Sequence, residues 1–395
     1  MNGNIILKEM SGIDENLIRE AEKIPKRKVK KKYFIEFGAS LAAALAITFG
    51  VTHLVKSMEA PPLLVLSGKN VINLSNGSGY EGIHAGDPSE LENGNPWSEE
   101  MKIKKLPVFS SSSLNPNEEK MKKAILEAAE FLGLDTDSLT IESNLYGEAE
   151  IARFRETWKG YGVPDEEIER MLKNTIPLQT VEAKQNGVSL TVDTAFTITI
   201  RFENGVVLPD GYDFGKNASR EERQKTGAYL LEKYGGLLNM KKPTINLDGI
   251  YKGSIEYYDA GSSNQDQLVN YSLNILRFSP NGRGELYLIR IHTNNECEKI
   301  ADYPILTADK AKQQLAEGNY LSSVPYKLTG NEKIGKTEII YLSGLGYEYV
   351  MPYYRFLVKL PAEFESESTY GCYYVPAVEG KYLVGMELDR IRFNE

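Results

Sequence analysis

The sequence predicts an α+β protein: an N-terminal transmembrane helix, then a linker and two antiparallel-sheet subdomains with helices on one face. Three observations predict it. Phe37 to Val55 form a nineteen-residue run without a charge, and at about 1.5 Å rise per residue such a helix covers nearly all of a hydrocarbon core of about 30 Å. Further on, Thr194 to Phe202 alternate, with Phe196, Ile198, Ile200 and Phe202 on one face and Thr197, Thr199 and Arg201 on the other, the period of a half-buried antiparallel strand. Between such strands stand Asn186-Gly187, Asn204-Gly205 and Asn281-Gly282, the dipeptides that favour tight hairpin turns.

Residues 1–32 carry nine Lys/Arg against five Asp/Glu. Placed directly before an apolar run, this basic segment reads as the cytoplasmic flank of a membrane helix, expected over residues 33–57 with the N-terminus inside. Within the tail, Asp14 can cap a short helix whose apolar side is Leu17, Ile18 and Ala21. That helix is either an insertion tail and nothing more or a docking element for a cytoplasmic partner. Cleavage after Ala60 would set Met58 where a small residue is needed and Pro61 just past the cut, so an uncleaved anchor is expected. No cysteine follows closely enough to be lipidated.

Residues 58–116 read as an extracytoplasmic linker, with Pro61-Pro62 and a Gly/Ser/Asn stretch from Asn73 to Asn95. Its apolar pieces, Leu63 to Leu66 and Lys102 to Phe109, are candidate edge strands. The first subdomain is expected over 117–245. Asn117 caps a helix with the stripe Met121, Ile125, Ala128 and Leu132, which Gly133 ends. A second helix runs from Ser219 to Tyr234, with Tyr229, Leu230 and Leu237 as its buried stripe. The second subdomain, 246–395, opens with strands Tyr271 to Phe278 and Glu285 to His292. Thr307 then caps a helix, and strands Glu338 to Leu342, Tyr349 to Leu360 and Gly371 to Val378 close a meander.

Outside the tail the chain carries thirty-seven Lys/Arg against fifty Asp/Glu. An acidic body argues against nucleic acid as a partner, since phosphate contacts need a cationic surface. The three histidines, His53, His84 and His292, are scattered, and no zinc-type histidine pair, nucleophile elbow, Walker loop or dinucleotide fingerprint occurs. No metal, cofactor or catalytic set is therefore expected. Cys297 and Cys372 are the two cysteines, readable either as one bridge that closes a long loop or as two thiols. Tyrosine is abundant, at 24 residues, and crowds the last third. That enrichment suits strand structure and, alternatively, an exposed binding face.

Two stretches resemble known families. The head SGIDENLIREAEKIPKRKVKKKYF with its Ala/Leu-rich helix resembles the start of clostridial single-pass proteins of the anti-sigma-factor kind. The stretches YPILTADKAKQQLAEGNYLS, EIIYLSGLGYEYVMPYYRF and CYYVPAV are similar to extracytoplasmic regulatory domains of the YycH and YycI kind, and more loosely to PepSY-like modules. The resemblance covers about fifty residues at the head and ninety at the tail and brings no catalytic residue. It implies a membrane-anchored extracytoplasmic regulatory or sensor protein of a Gram-positive surface. Its tail would hold a sigma factor or a kinase, and its body would meet an envelope protein or peptide ligand. The alternative is an envelope binding or scaffold protein with an inert tail.

Overall fold

In the computed structural model the described residues are 60–385, apart from 66–82, 86–87, 112–116, 166–167, 170–171, 173–178, 216, 249–252, 325, 344–347 and 362–367. The expected cytoplasmic tail 1–32 and transmembrane helix 33–57 lie outside them. Among the described residues no helix is long and apolar enough to cross a membrane.

The order of elements is β1 (Leu64–Val65), β2 (Ile83–Ala85), β3 (Lys105–Ser110), α1 (Glu118–Phe131), β4 (Ile141–Ser143), α2 (Glu148–Gly160), β5 (Thr180–Gln185), β6 (Val188–Asp193), β7 (Ile198–Val206) and α3 (Arg220–Tyr234). Then follow β8 (Pro243–Asn246), β9 (Ile255–Asp259), α4 (Asn264–Leu273), β10 (Ile275–Pro280), β11 (Leu286–His292), β12 (Lys299–Pro304), α5 (Ala308–Ala316), β13 (Leu321–Ser322), β14 (Ile334–Leu342), β15 (Tyr349–Lys359), β16 (Ser368–Pro376) and β17 (Leu383–Val384). The fold is α+β. Eight strands make one antiparallel sheet in the order β4-β5-β6-β7-β11-β10-β9-β8, and seven make a second, β12-β3-β15-β16-β13 with β14 on β15 and β2 on β16.

Local chemistry sets the boundaries. Asn117 accepts from the Lys120 N–H and opens α1, and Gly133, at φ 71°, follows its end. Ser219 and Glu222 form a reciprocal capping box at α3, and Ser263 with Asp266 does the same at α4. That second box turns Tyr271 to Leu273, expected as strand, into the last turn of a helix, so β10 starts only at Ile275. Asn186 and Gly187 both take positive φ between β5 and β6, as a two-residue hairpin turn requires. Phe196 also has positive φ, in a turn where Asp193 Oδ1 accepts from the Ala195 and Thr197 N–H groups. The strand expected from Thr194 therefore begins at Ile198.

One face of the first sheet carries Val181, Leu190, Ile200, Phe278 and Ile289 and is covered by α1 (Met121, Ile125) and α3 (Leu230, Tyr234). Each such buried side chain contributes roughly 1.5–3 kcal/mol of transfer free energy. The buried side of α3 is Arg223, Thr226, Gly227, Leu230 and Tyr234, whereas the expected Tyr229 is half-buried. In the second sheet β15 is covered on both faces. Tyr354, Phe356 and Val358 pack with α5, and Met351, Tyr353 and Leu357 pack toward Tyr258 and Tyr271. The tyrosines Tyr341, Tyr353, Tyr354, Tyr370, Tyr373 and Tyr374 are all buried, so here tyrosine serves the sheet interior.

Two expectations about sheet membership also change. The first sheet runs to His292, past the expected 245/246 division, because β7 pairs with β11 from Ile198↔Ile291 to Val206↔Leu286. Lys102 to Phe109 is not an edge. Its part from Lys105 onward lies in β3, between β12 and β15, with Leu106 and Val108 fully buried. The expected linker thus supplies an interior strand, since Leu106, Val108 and Phe109 have nowhere else to be buried.

Candidate ligand-binding cleft between the sheets

The face of the first sheet away from α1 and α3 is polar near β8, β9 and β10. In one cross-strand row stand Asn246, Glu256, Arg277 and Arg290. Opposite this row, β14 and β15 present Ile340, Tyr341 and Arg355. The space between is a cleft of about 430 Å³, lined also by Asp248, Tyr271 and Ser272.

Two ion pairs hold its walls. Glu256 binds the Arg277 guanidinium and accepts from Asn246 Nδ2 at 2.8 Å. Glu338, 1% exposed, lies opposite Arg355 in register and binds its guanidinium. Lys336 Nζ lies 3.2 Å from the second Glu338 oxygen. Burial opposes the ionisation of Glu338, but Arg355 and Lys336 outweigh it and hold the carboxyl below its ordinary range. Burial, reinforced by the Glu338 charge, raises the Tyr271 hydroxyl, which stays protonated.

A short segment joins the two pairs. Asn93 Nδ2 donates to Glu338 Oε2 at 3.2 Å, and Lys336 Nζ donates to Asn93 Oδ1 at 2.6 Å. Asn95 Nδ2 donates to the Ile339 carbonyl at 2.9 Å. On the other side the Gly94 N–H donates to Asn246 Oδ1 at 2.7 Å, and Tyr258 donates its hydroxyl to the Gly94 carbonyl at 3.3 Å. Asn93-Gly94-Asn95 is a clasp, and a continuous polar path leads from Arg277 through Glu256, Asn246, the clasp and Glu338 to Arg355. Trp97 anchors the clasp edge-on against Tyr354 at 5.6 Å.

The clasp needs glycine. A Cβ on Gly94 would stand 2.9 Å from Asn246 Oδ1 and 3.2 Å from Asn246 Cα. Gly94→Ala is expected to lengthen the Gly94–Asn246 bond and destabilise by about 1–2 kcal/mol. Urea unfolding gives the energy, and hydrogen exchange at Gly94 reports the opened clasp.

A second link between the sheets is His292. Its Nδ1 lies 3.1 Å from Thr197 Oγ1 and its Nε2 3.3 Å from Ser343 Oγ, just past β14. Burial, with the Arg277 charge adding to it, pushes the imidazole down to about 4. The unfolded chain then takes up a proton near pH 6.5 and the folded chain only near 4, so stability present above pH 6.5 is lost as pH falls through that window. The loss is about 3 kcal/mol. His292→Gln is expected to flatten the dependence of unfolding free energy on pH between 6.5 and 4.

The cleft is lined by paired charges and hydroxyls. Its arginines are matched by carboxylates, and the Glu256 carboxylate is tied to Arg277 and Asn246. It offers an entering molecule both donors and acceptors: guanidinium edges, the Tyr271 and Ser272 hydroxyls and the Asp248 carboxylate. Among the described residues no group of three or more His, Cys, Asp or Glu is placed to hold a metal ion.

The candidate docking residues Leu17, Ile18 and Ala21 lie outside the described residues. Cys297 and Cys372 do not form the candidate bridge. Cys372 sits mid-strand in β16, in the core shared with Tyr353 and Leu357, whereas Cys297 packs against Phe109 and Leu273 in a separate cluster. The cleft is not legible in the sequence because its walls join the 246–277 stretch to Ile340, Tyr341 and Arg355, more than sixty residues further on. One signal was present: Arg355 is a lone charge among the apolar residues of YVMPYYRFLV.

No family model matches the chain, and no curated protein matches it. Among solved structures, the chain is similar to the crystal structure of an uncharacterized protein from Eubacterium rectale, at 9% sequence identity and a TM-score of 0.32, over 70% of this chain and 85% of that one.

Proposed function

We propose that this chain is a membrane-anchored extracytoplasmic regulatory protein that senses a polar ligand or an envelope partner in the cleft between its sheets and signals through its cytoplasmic tail. The observation that carries the reading is how early the body begins. Tyr303 in β12 donates its hydroxyl to the Pro62 carbonyl at 2.8 Å, and Leu64 is fully buried. Only three residues, 58–60, separate the expected span 33–57 from the compact unit that starts at Pro61. On this reading a change in the second sheet has only those three residues between it and the anchor. The clasp supports the same reading: a ligand that competes for Arg277 or Arg355 alters a hydrogen-bonded path that touches both sheets.

On this reading the helix around Leu17, Ile18 and Ala21 holds a sigma factor or a kinase. The experiment is a pull-down with the full chain in detergent, with Leu17→Asp as the comparison. Retention of such a protein by the native chain and its loss on Leu17→Asp is the expected result. Equal recovery by both chains overturns the docking role and leaves the outer body as a binding protein with an inert tail.

A further inference from the structure

The first and last described strands, β1 and β17, form a parallel ribbon with Leu64 opposite Leu383 and Val65 opposite Val384. Its two faces differ. Leu64 is 1% exposed and, with Leu383, packs into the second-sheet core. On the other face Val65 is 57% exposed and its register partner Val384 43%, and Leu63, two residues earlier on the same face, is 57% exposed. Among the described residues seven large hydrophobic side chains are exposed. The other four lie on α1 (Leu126, Phe131), after α2 (Tyr161) and after β7 (Val207). The ribbon is where three of them adjoin.

We propose that this face of the ribbon rests on the outer leaflet of the membrane that holds the chain. The inference rests on the anchored reading above. Leu63 is the eighth residue after Val55, the end of the uncharged run. Even fully extended, eight residues span at most about 28 Å, and a headgroup layer occupies roughly 5–8 Å of that. On the anchored reading the ribbon is tethered within that reach of a lipid surface. Three apolar side chains are too few to bind a vesicle from solution. Tethering converts the contact into an intramolecular one at high effective concentration, where marginal affinity suffices. The neighbouring residues suit an interface. Tyr382 packs edge-on against Tyr303 at 5.7 Å, and the Lys381 ammonium lies 5.0 Å over the Tyr382 ring, an amphipathic pair of the kind found at headgroup depth. A second copy of the chain or the residues beyond Gly385 could cover the face instead, and the test separates these.

The test photolabels the full chain in vesicles of phosphatidylcholine and phosphatidylglycerol that carry a diazirine phosphatidylcholine, with adducts mapped by mass spectrometry. Lipid adducts at Leu63, Val65 and Val384 about tenfold above those at Val207 are expected, as tethering to the surface demands. Labelling of Phe37 to Val55 is the internal check on the anchor. An unlabelled ribbon beside a labelled anchor overturns the inference alone, and absence of label from both overturns the anchored reading with it. Covalent links from the ribbon to a second copy, or label appearing there only after residues 386–395 are deleted, also overturn it. In the variant L63S/V65S/V384S, whose changed side chains are all exposed, label at Lys381 and Tyr382 should fall while anchor label is unchanged.

Discussion

Replacing Glu338 by alanine is expected to destabilise the protein by about 3–5 kcal/mol, because it strands the Arg355 guanidinium and the Lys336 ammonium in a buried site. The effect is larger than for a surface pair since Glu338 is 1% exposed and meets both cations and Asn93. Arg355→Met should cost a similar amount, as it leaves the carboxylate buried without its main partner. The double variant E338M/R355M removes both charges and should recover much of the loss, because paired apolar replacements of buried ion pairs are often tolerated. Urea unfolding of the native chain, E338M, R355M and E338M/R355M closes the cycle. The sign of its pH dependence follows from the lowered carboxyl pKa. Stability due to Glu338 is present above the ordinary glutamate value of about 4.3 and is lost as pH falls through the lower folded value. If the double variant is as unstable as the sum of the singles, the pair is not the unit described.

Phe278→Ala and Phe356→Ala are each expected to cost about 3–5 kcal/mol, as deletion of a fully buried ring leaves a cavity that its neighbours fill only in part. Phe278 lies in the first-sheet core between Tyr234 and Tyr257, and Phe356 stacks on Tyr354 in the second. Two independent subdomains would show two transitions, each moved by one substitution. The clasp, the Ser272–Tyr341 bond at 3.0 Å and the His292 link cross between the sheets, and residues 61–395 form one compact unit. Both substitutions should therefore shift a single transition. The decisive measurement is Trp97 fluorescence, which reports the second sheet through Tyr354 and should move when Phe278 is truncated.

Periodicity and capping made most elements of the body legible. Asn117 and Thr307 cap the helices expected of them, α3 runs where a helix is expected, β5 and β6 flank the expected Asn186-Gly187 turn, and β11, β15 and β16 fall close to their expected places. Those signals are local, so short windows carry them. Sheet membership is not local. Nothing near Ile198 says that it pairs with Ile291, which is why the division was expected at 245/246. The clasp was hidden for a different reason. Asn93-Gly94-Asn95 has the composition of a turn, and turns and buried hydrogen-bonding segments look alike until their partners, Asn246 and Glu338, are brought to them. The Tyr271 to Phe278 strand was misread because Ser263 and Asp266, which start α4, lie upstream of the alternation that suggested it.

The order in which the second sheet acquires its strands constrains how the chain can be made. The first sheet uses residues 141–292, one unbroken stretch, whereas the second joins β2 and β3, before residue 111, to β12–β16, after residue 298. β3 therefore waits, apolar and unpaired, while nearly two hundred residues are synthesised. β1 waits longer still, since its partner ends at Val384. Assembly of this sheet is slow by its contact order, and the waiting strands are the segments most prone to misassembly. A chain that stops short of β16 keeps every residue of the first sheet and loses the partners of β2, β13 and much of β15. The second sheet therefore cannot close until β16 has been made.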